Sequence, residues 1–165
     1  MSPIGQLNIK SYNGLIAEVS FADGVKPPPL VKGTLNPLFV SYNEQFKEKY
    51  NDENVIKECI SQLEAYFSGK LKVFKLPLYV QNTSFREGVW VELLKIPYGE
   101  TITYKELAKR INNPAAIRAV GGANHHNPIN IIIPCHRVIG ANGKLTGYGG
   151  GLTQKEFLLE LERNK

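Results

Sequence analysis

Residues 103–123 read Thr103-Tyr104-Lys105-Glu106-Leu107-Ala108-Lys109-Arg110-Ile111-Asn112-Asn113-Pro114-Ala115-Ala116-Ile117-Arg118-Ala119-Val120-Gly121-Gly122-Ala123. Thr103, with Glu106 three positions on, is a capping box that opens a helix. Leu107, Ala108 and Ile111 then fall on one face at helical spacing. Asn112-Asn113 supplies a turn, and Pro114 predicts the first residue of a second helix, where its missing N–H costs nothing. Two short helices across a tight turn make a helix-turn-helix. The second is nearly bare: Ala115, Ala116, Ala119, Gly121, Gly122 and Ala123 carry no bulk, and Arg118 is its single long polar side chain. Such a helix can approach a nucleic-acid backbone closely, yet offers few groups that read base edges. Little sequence specificity follows. A small-residue face packed on another helix fits the same pattern.

Working outward, two more capping boxes mark helix starts, at Ser84 with Glu87 and at Thr153 with Glu156. The helix after Ser84 buries Val89, Trp90, Leu93 and Leu94 and stops at Pro97-Tyr98-Gly99; the last helix presents Phe157, Leu158 and Leu161. Between them, residues 129–133 form a buried apolar run that leads into Pro134-Cys135-His136-Arg137. The first 75 or so residues read as mixed α/β. Residues 15–21 suit a strand, with an Asp23-Gly24 turn and a stiff Lys26-Pro27-Pro28-Pro29 loop. Val55, Ile56, Cys59, Ile60, Leu63 and Phe67 form a helical stripe that begins at Asn51 or Asp52 and closes at Gly69. Cys59 is core filler in that stripe. Residues 75–82 resemble a connection, so the expected organisation is an α/β unit over 1–76, a linker over 77–84 and a mostly helical unit over 85–165.

The chain has 165 residues, 42% of them hydrophobic, and a net charge of +5. No apolar run approaches the ~20 residues that cross a bilayer. The start, Met1-Ser2-Pro3-Ile4-Gly5, lacks a charged, apolar leader, and two cysteines are too few for a disulfide scaffold. A cytoplasmic protein with no membrane partner is expected. Residues 1–84 carry nine basic and eight acidic side chains, whereas 85–165 carry eleven and seven. The surplus lies in the C-terminal half, where a polyanion such as nucleic acid would be attracted, although a solvated surface can hold it equally well.

Cys135 stands directly before His136 and Arg137, two nearby positive or potentially positive groups that can lower a thiol pKa. Adjacent residues in extended chain face opposite ways, so a Cys–His contact needs a turn or a bridging water. The other histidines are His125 and His126, and Cys59 is distant in sequence, so no metal site is expected. These residues alone leave a Cys-His hydrolase open.

Ile132-Ile133-Pro134-Cys135-His136-Arg137-Val138-Ile139 resembles the active-site signature of the O6-alkylguanine-DNA alkyltransferase family, the methylated-DNA–protein-cysteine methyltransferases. Residues 96–101 with Tyr104, 118–121, Asn127-Pro128, 147–152 and 155–162 resemble its helix-turn-helix, loops and last helix. Residues 62–70 fit its domain junction. The resemblance implies a ribonuclease-H-like α/β domain followed by a winged helix-turn-helix domain.

It further implies that double-stranded DNA is bound with little sequence specificity by Thr103, Pro114, Ala115, Ala119 and Gly121. Arg118 would fill the space of a flipped, alkylated guanine. Cys135 would take the alkyl group, with His136 as base through a water and Glu162 orienting it. Tyr104 would serve guanine N3, and Asn127 would pin the turn. Tyr148, Gly149, Gly150, Pro134, Val138 and Lys155 would shape the pocket, with the carbonyls of Cys135 and Val138 accepting from the guanine amino group. O4-alkylthymine is a second implied substrate. The implied protein acts once, as a monomer without cofactor or metal. Gly149, where some relatives carry serine or alanine, implies room for larger alkyl groups, and His125-His126 implies altered DNA contacts. A lesion-binding protein that does not repair is the rival; a nucleophile beside a base speaks against it.

Overall fold

The computed structural model describes residues 2–24, 26 and 51–164, so residues 27–29 of the expected proline loop lie outside the described residues. β1 (Leu7–Tyr12) and β2 (Leu15–Phe21) form an antiparallel hairpin. Its two-residue turn is Asn13-Gly14, both at positive φ (51° and 76°), a pair whose twist matches that of the strands. Asp52 Oδ1 accepts from Gly14 N at 2.9 Å and so pins this turn to α1 (Asp52–Phe67). Asn51 caps α1, as the spacing predicts, by accepting from Asn54 N. The helix buries Val55, Cys59, Leu63 and Tyr66, while Ile60 is exposed. Gly69 sits one residue past the cap at φ 73°, donating to Tyr66 O.

Every residue of β2 is buried, although β1 covers only one of its edges. The other edge is shared by two distant segments. Residues 77–79 bracket Ile16, with Ile16 N donating to Pro77 O and Tyr79 N to Ile16 O, both at 2.8 Å. Residues 128–130 bracket Val19 in the same way, at 2.9 and 2.8 Å. The first half of the stretch expected as a linker is thus a buried partner of β2, with Leu78, Tyr79 and Val80 shielded, while residues 81, 83 and 84 are exposed. One apolar core runs through both halves, from Val19 and Phe21 to Trp90, Ile129 and Leu158.

The C-terminal half contains α2 (Ser84–Leu94), β3 (Ile102–Thr103), α3 (Tyr104–Arg110), α4 (Ile117–His125), β4 (Val138–Ile139) and α5 (Leu152–Arg163). Of the three expected caps, Thr103 serves as expected, accepting from Glu106 N at 3.1 Å. At α2 the cap is Thr83, one residue earlier, because Glu87 turns back to Asn82 N and leaves Ser84 inside the helix. At α5 the cap is Gly151 at φ 99°, which places Thr153 in the first turn. Pro114 does not open α4. It lies in a turn closed by Ala116 N to Asn113 O, and the helix starts at Ile117. The predicted buried faces are also narrower: Leu94, Ile111, Phe157 and Leu161 are only partly covered. Among the described residues, no helix is long and apolar enough to cross a membrane.

Candidate active site

Residues 127–137 leave α4, touch β2, and turn sharply twice. Ile132 N donates to Asn130 O at 2.9 Å, closing a γ-turn around Ile131, whose φ is 74°. That conformation costs a β-branched residue roughly 1–3 kcal/mol, and full burial with the Asn130–Val19 bond holds it in place. Cys135 N donates to Ile133 O at 2.8 Å, closing a second, relaxed γ-turn around Pro134. A single 3-10 turn over Cys135–Arg137 follows, so the backbone is bent, not extended, where Cys135 meets His136.

Cys135 is 2% exposed. Asn127 Nδ2 donates to its Sγ at 3.0 Å and to Ile133 O at 2.8 Å, while Asn127 Oδ1 accepts from Ile129 N. On the other side the thiol donates to Asn130 Oδ1 at 3.8 Å, and Asn130 Nδ2 donates to Val19 O at 3.1 Å. One amide therefore favours the thiolate and the other the thiol. Burial outweighs the help of Asn127 and Lys155 and pushes the Cys135 pKa up to about 11. The expected acidification by His136 and Arg137 is not what this environment produces. Burial also lowers the His136 pKa and so keeps the ring neutral. Arg137 turns away to a carboxylate.

That carboxylate is Glu162. Its Oε1 accepts from Tyr66 Oη (2.7 Å), His136 Nε2 (2.8 Å) and Arg137 Nη2 (2.9 Å). Its Oε2 accepts from Arg137 Nε (2.8 Å) and Gly99 N (3.1 Å). Burial alone would raise its pKa, but the donors from His136 and Arg137 hold it well below the ordinary carboxylate range. With Nε2–H on Glu162, the buried Nδ1 of His136 keeps a free lone pair, and it has no protein hydrogen-bond partner among the described residues. The arrangement is a neutral base one residue after a buried thiol, oriented through Nε2 by a fixed charge.

Lys155 is fully buried, and its Nζ donates to Val138 O (2.6 Å) and Thr146 O (2.9 Å). It ties β4 to the loop that precedes α5, and it already uses one lone pair of the Val138 carbonyl. Burial pulls its pKa down to about 8. Tyr104 opens α3 with its hydroxyl turned to Thr146 O (3.2 Å) and Gly147 O (3.4 Å). Tyr148 is buried against Phe21, ring to ring at 5.9 Å. Gly150 faces the same ring: a Cβ there would lie 2.3 Å from it. Gly149 is partly covered, its carbonyl close above Gly24. Pro134 and Val138 are buried.

Arg118, Ala119, Pro114 and Ala115 are exposed on one surface, with Gly121 and Thr103 half-buried behind them. The hydroxyl of Thr103 is occupied as the α3 cap. His125 is exposed at the end of α4, whereas His126 Nδ1 is bound to Gly122 O at 2.7 Å. Ile117, 41% exposed beside Arg118, is an addition to this surface. Asn130, Tyr66, Arg137 and Phe21 also join the site. Arg137 is signalled by its place beside Cys135 and Asn130 as the one polar residue in an apolar run, whereas Tyr66 and Phe21 had no local signal.

Comparison with known proteins matches residues 84–164 to the family model described as 6-O-methylguanine DNA methyltransferase, DNA binding domain. Residues 1–80 match its ribonuclease-like domain. A methylated-DNA–protein-cysteine methyltransferase of Methanosarcina mazei is 63% identical over 136 residues, which cover 81% of this chain and 86% of that one. One from Mycobacterium tuberculosis is 43% identical over 164 residues, covering 99% and 90%. The crystal structure of Mycobacterium tuberculosis OGT in complex with DNA superposes with a TM-score of 0.79 at 41% identity, covering 99% of this chain and 89% of that one.

Proposed function

The chain belongs to the 6-O-methylguanine DNA methyltransferase family, and we propose from that premise that it repairs DNA by moving the O6-alkyl group of guanine onto its own Cys135. The observation that carries the assignment of the nucleophile is the buried thiol held by Asn127 beside the His136–Glu162 pair. In this reading the base leaves the stack and enters the pocket walled by Tyr148, Gly149 and Gly150, while Arg118 occupies the gap. His136 Nδ1 takes the thiol proton through a water. The S–C bond forms as the C–O6 bond breaks, and the electron pair remains on guanine. Tyr104 hydrogen-bonds N3 of that anion, which then recovers a proton at N1. The products are S-alkylcysteine and intact guanine.

A thioether has no leaving route under mild conditions, so each molecule acts once. The same attack extends to O4-alkylthymine. The chemistry draws on this chain's own residues, so the protein acts as a monomer without a cofactor, and a reducing, cytoplasmic setting keeps the thiol free.

Incubation with a duplex containing O6-methylguanine is expected to add one methyl group to the intact protein, located at Cys135. Continued turnover, or tight lesion binding with no gain in mass, would overturn the reading, the latter in favour of lesion sensing without repair. Base flipping costs a few kcal/mol, so Arg118→Ala is expected to slow repair in duplex DNA by at least about tenfold. Reaction with a free O6-alkylguanine base should change little. Equal loss on both substrates would remove Arg118 from flipping.

A further inference from the structure

Asn124 lies on the inward face of α4, 4% exposed, and neither its amide nitrogen nor its amide oxygen has a hydrogen-bond partner among the described residues. A buried primary amide left in this state is costly, and native proteins rarely keep one without a use. α4 packs against α3, whose first residue is Tyr104. Burial raises the Tyr104 pKa, and the Asn124 amide is close enough to act against that rise, although outside hydrogen-bond geometry. The hydroxyl meanwhile rests on the carbonyls of Thr146 and Gly147, the wrong partners for a group that must serve a departing base.

We infer that Asn124 is the positioning residue for Tyr104, donating an amide N–H to the phenol oxygen when the hydroxyl turns from the loop carbonyls to the guanine. The inference rests on the proposed alkyl transfer. A donor at the phenol oxygen polarises the O–H bond, so the hydrogen bond to guanine N3 strengthens as negative charge develops. No proton needs to leave Tyr104. The amide N–H waits unpaired in the resting protein and is satisfied only with the base in place, so its interaction favours the transition state over the free protein.

The test is a double-mutant cycle, read as the single-turnover rate of methyl transfer from an O6-methylguanine duplex. Asn124→Leu, close in size and lacking the orphan amide, is expected to transfer methyl about tenfold more slowly, with DNA affinity unchanged and thermal stability equal or higher. In a Tyr104→Phe background the same change should cost less than about twofold, because the group it acts through is gone. Asn124→Ala serves the cycle if the leucine fails to fold. Equal losses in both backgrounds, or no loss in either, would overturn the inference. Failure of the underlying reading is distinguishable, since the unaltered protein would then gain no methyl group.

Discussion

Cys135→Ala is expected to gain no mass from an alkylated duplex while still binding DNA, a complete loss rather than a reduced rate. The thiol supplies the bond that forms, and no other side chain in the cradle can replace it. Asn127 and Asn130 are neutral amides, and the His136 ring is engaged at Nε2 by Glu162. With the thiol pKa near 11, the thiolate fraction at pH 7 is on the order of one in ten thousand. The proton must therefore leave during attack, which is why a neutral His136 matters. Cys135→Ser, whose hydroxyl ionises far less readily, should be inert as well. Cys59 is the internal control: burial in α1 pushes its pKa up to about 12, and Cys59→Val should leave the transferred mass unchanged. Alkylation of the Cys135→Ala protein at Cys59 would sink the assignment of the nucleophile.

The second large effect is structural. Glu162→Leu removes the acceptor of five donors from Tyr66, Gly99, His136 and Arg137, and it strands the Arg137 guanidinium in the core. Breaking a buried pair from one side typically costs about 3–5 kcal/mol. For a chain of this size that lowers the thermal midpoint by roughly 10 °C. Transfer should fall too, because His136 loses its orientation. Glu162→Gln keeps the shape but swaps an acceptor for a donor facing donors, and is expected to recover little. The same carboxylate sets an acid limit. Its folded pKa is depressed, so its stabilisation is complete above the ordinary value of 4.5 and is lost progressively as pH falls below it. Thermal unfolding from pH 7 to pH 3 should show this slope and Glu162→Leu should lack it; parallel curves would refute the role.

Much of this arrangement was legible along the chain, for a physical reason. Cys135, His136 and Arg137 are consecutive, and helix periodicity places Leu107, Ala108 and Leu158 with little help from tertiary structure, whereas Glu162 is legible only through the family resemblance. Caps were less legible: Thr83 and Ser84 are equally good oxygen acceptors, and the choice between them is made by Glu87 reaching Asn82 N. Pro114 offers a helix start, yet the turn to Asn113 O takes precedence. The long-range partners left no trace. Phe21 and Gly150 fit each other only once β2 is seated, and Tyr66 meets Glu162 across 96 positions. The direction of the Cys135 shift was hidden for a like reason. Charge beside a thiol is visible in sequence, whereas burial that outweighs it is not.

The shared outer edge of β2 bears on how the chain is made. Val19 and its partner Asn130 are 111 positions apart, so at a ribosomal pace of about 5–20 residues per second the strand leaves synthesis on the order of ten seconds before its last neighbour exists. Throughout that interval β2, a strand destined to be buried on both faces, shows open backbone groups and apolar side chains to its surroundings. Unpaired edges of this kind recruit other chains, and late closure by distant segments makes folding slow. The half of the protein that does no chemistry is therefore the half most exposed to aggregation at birth.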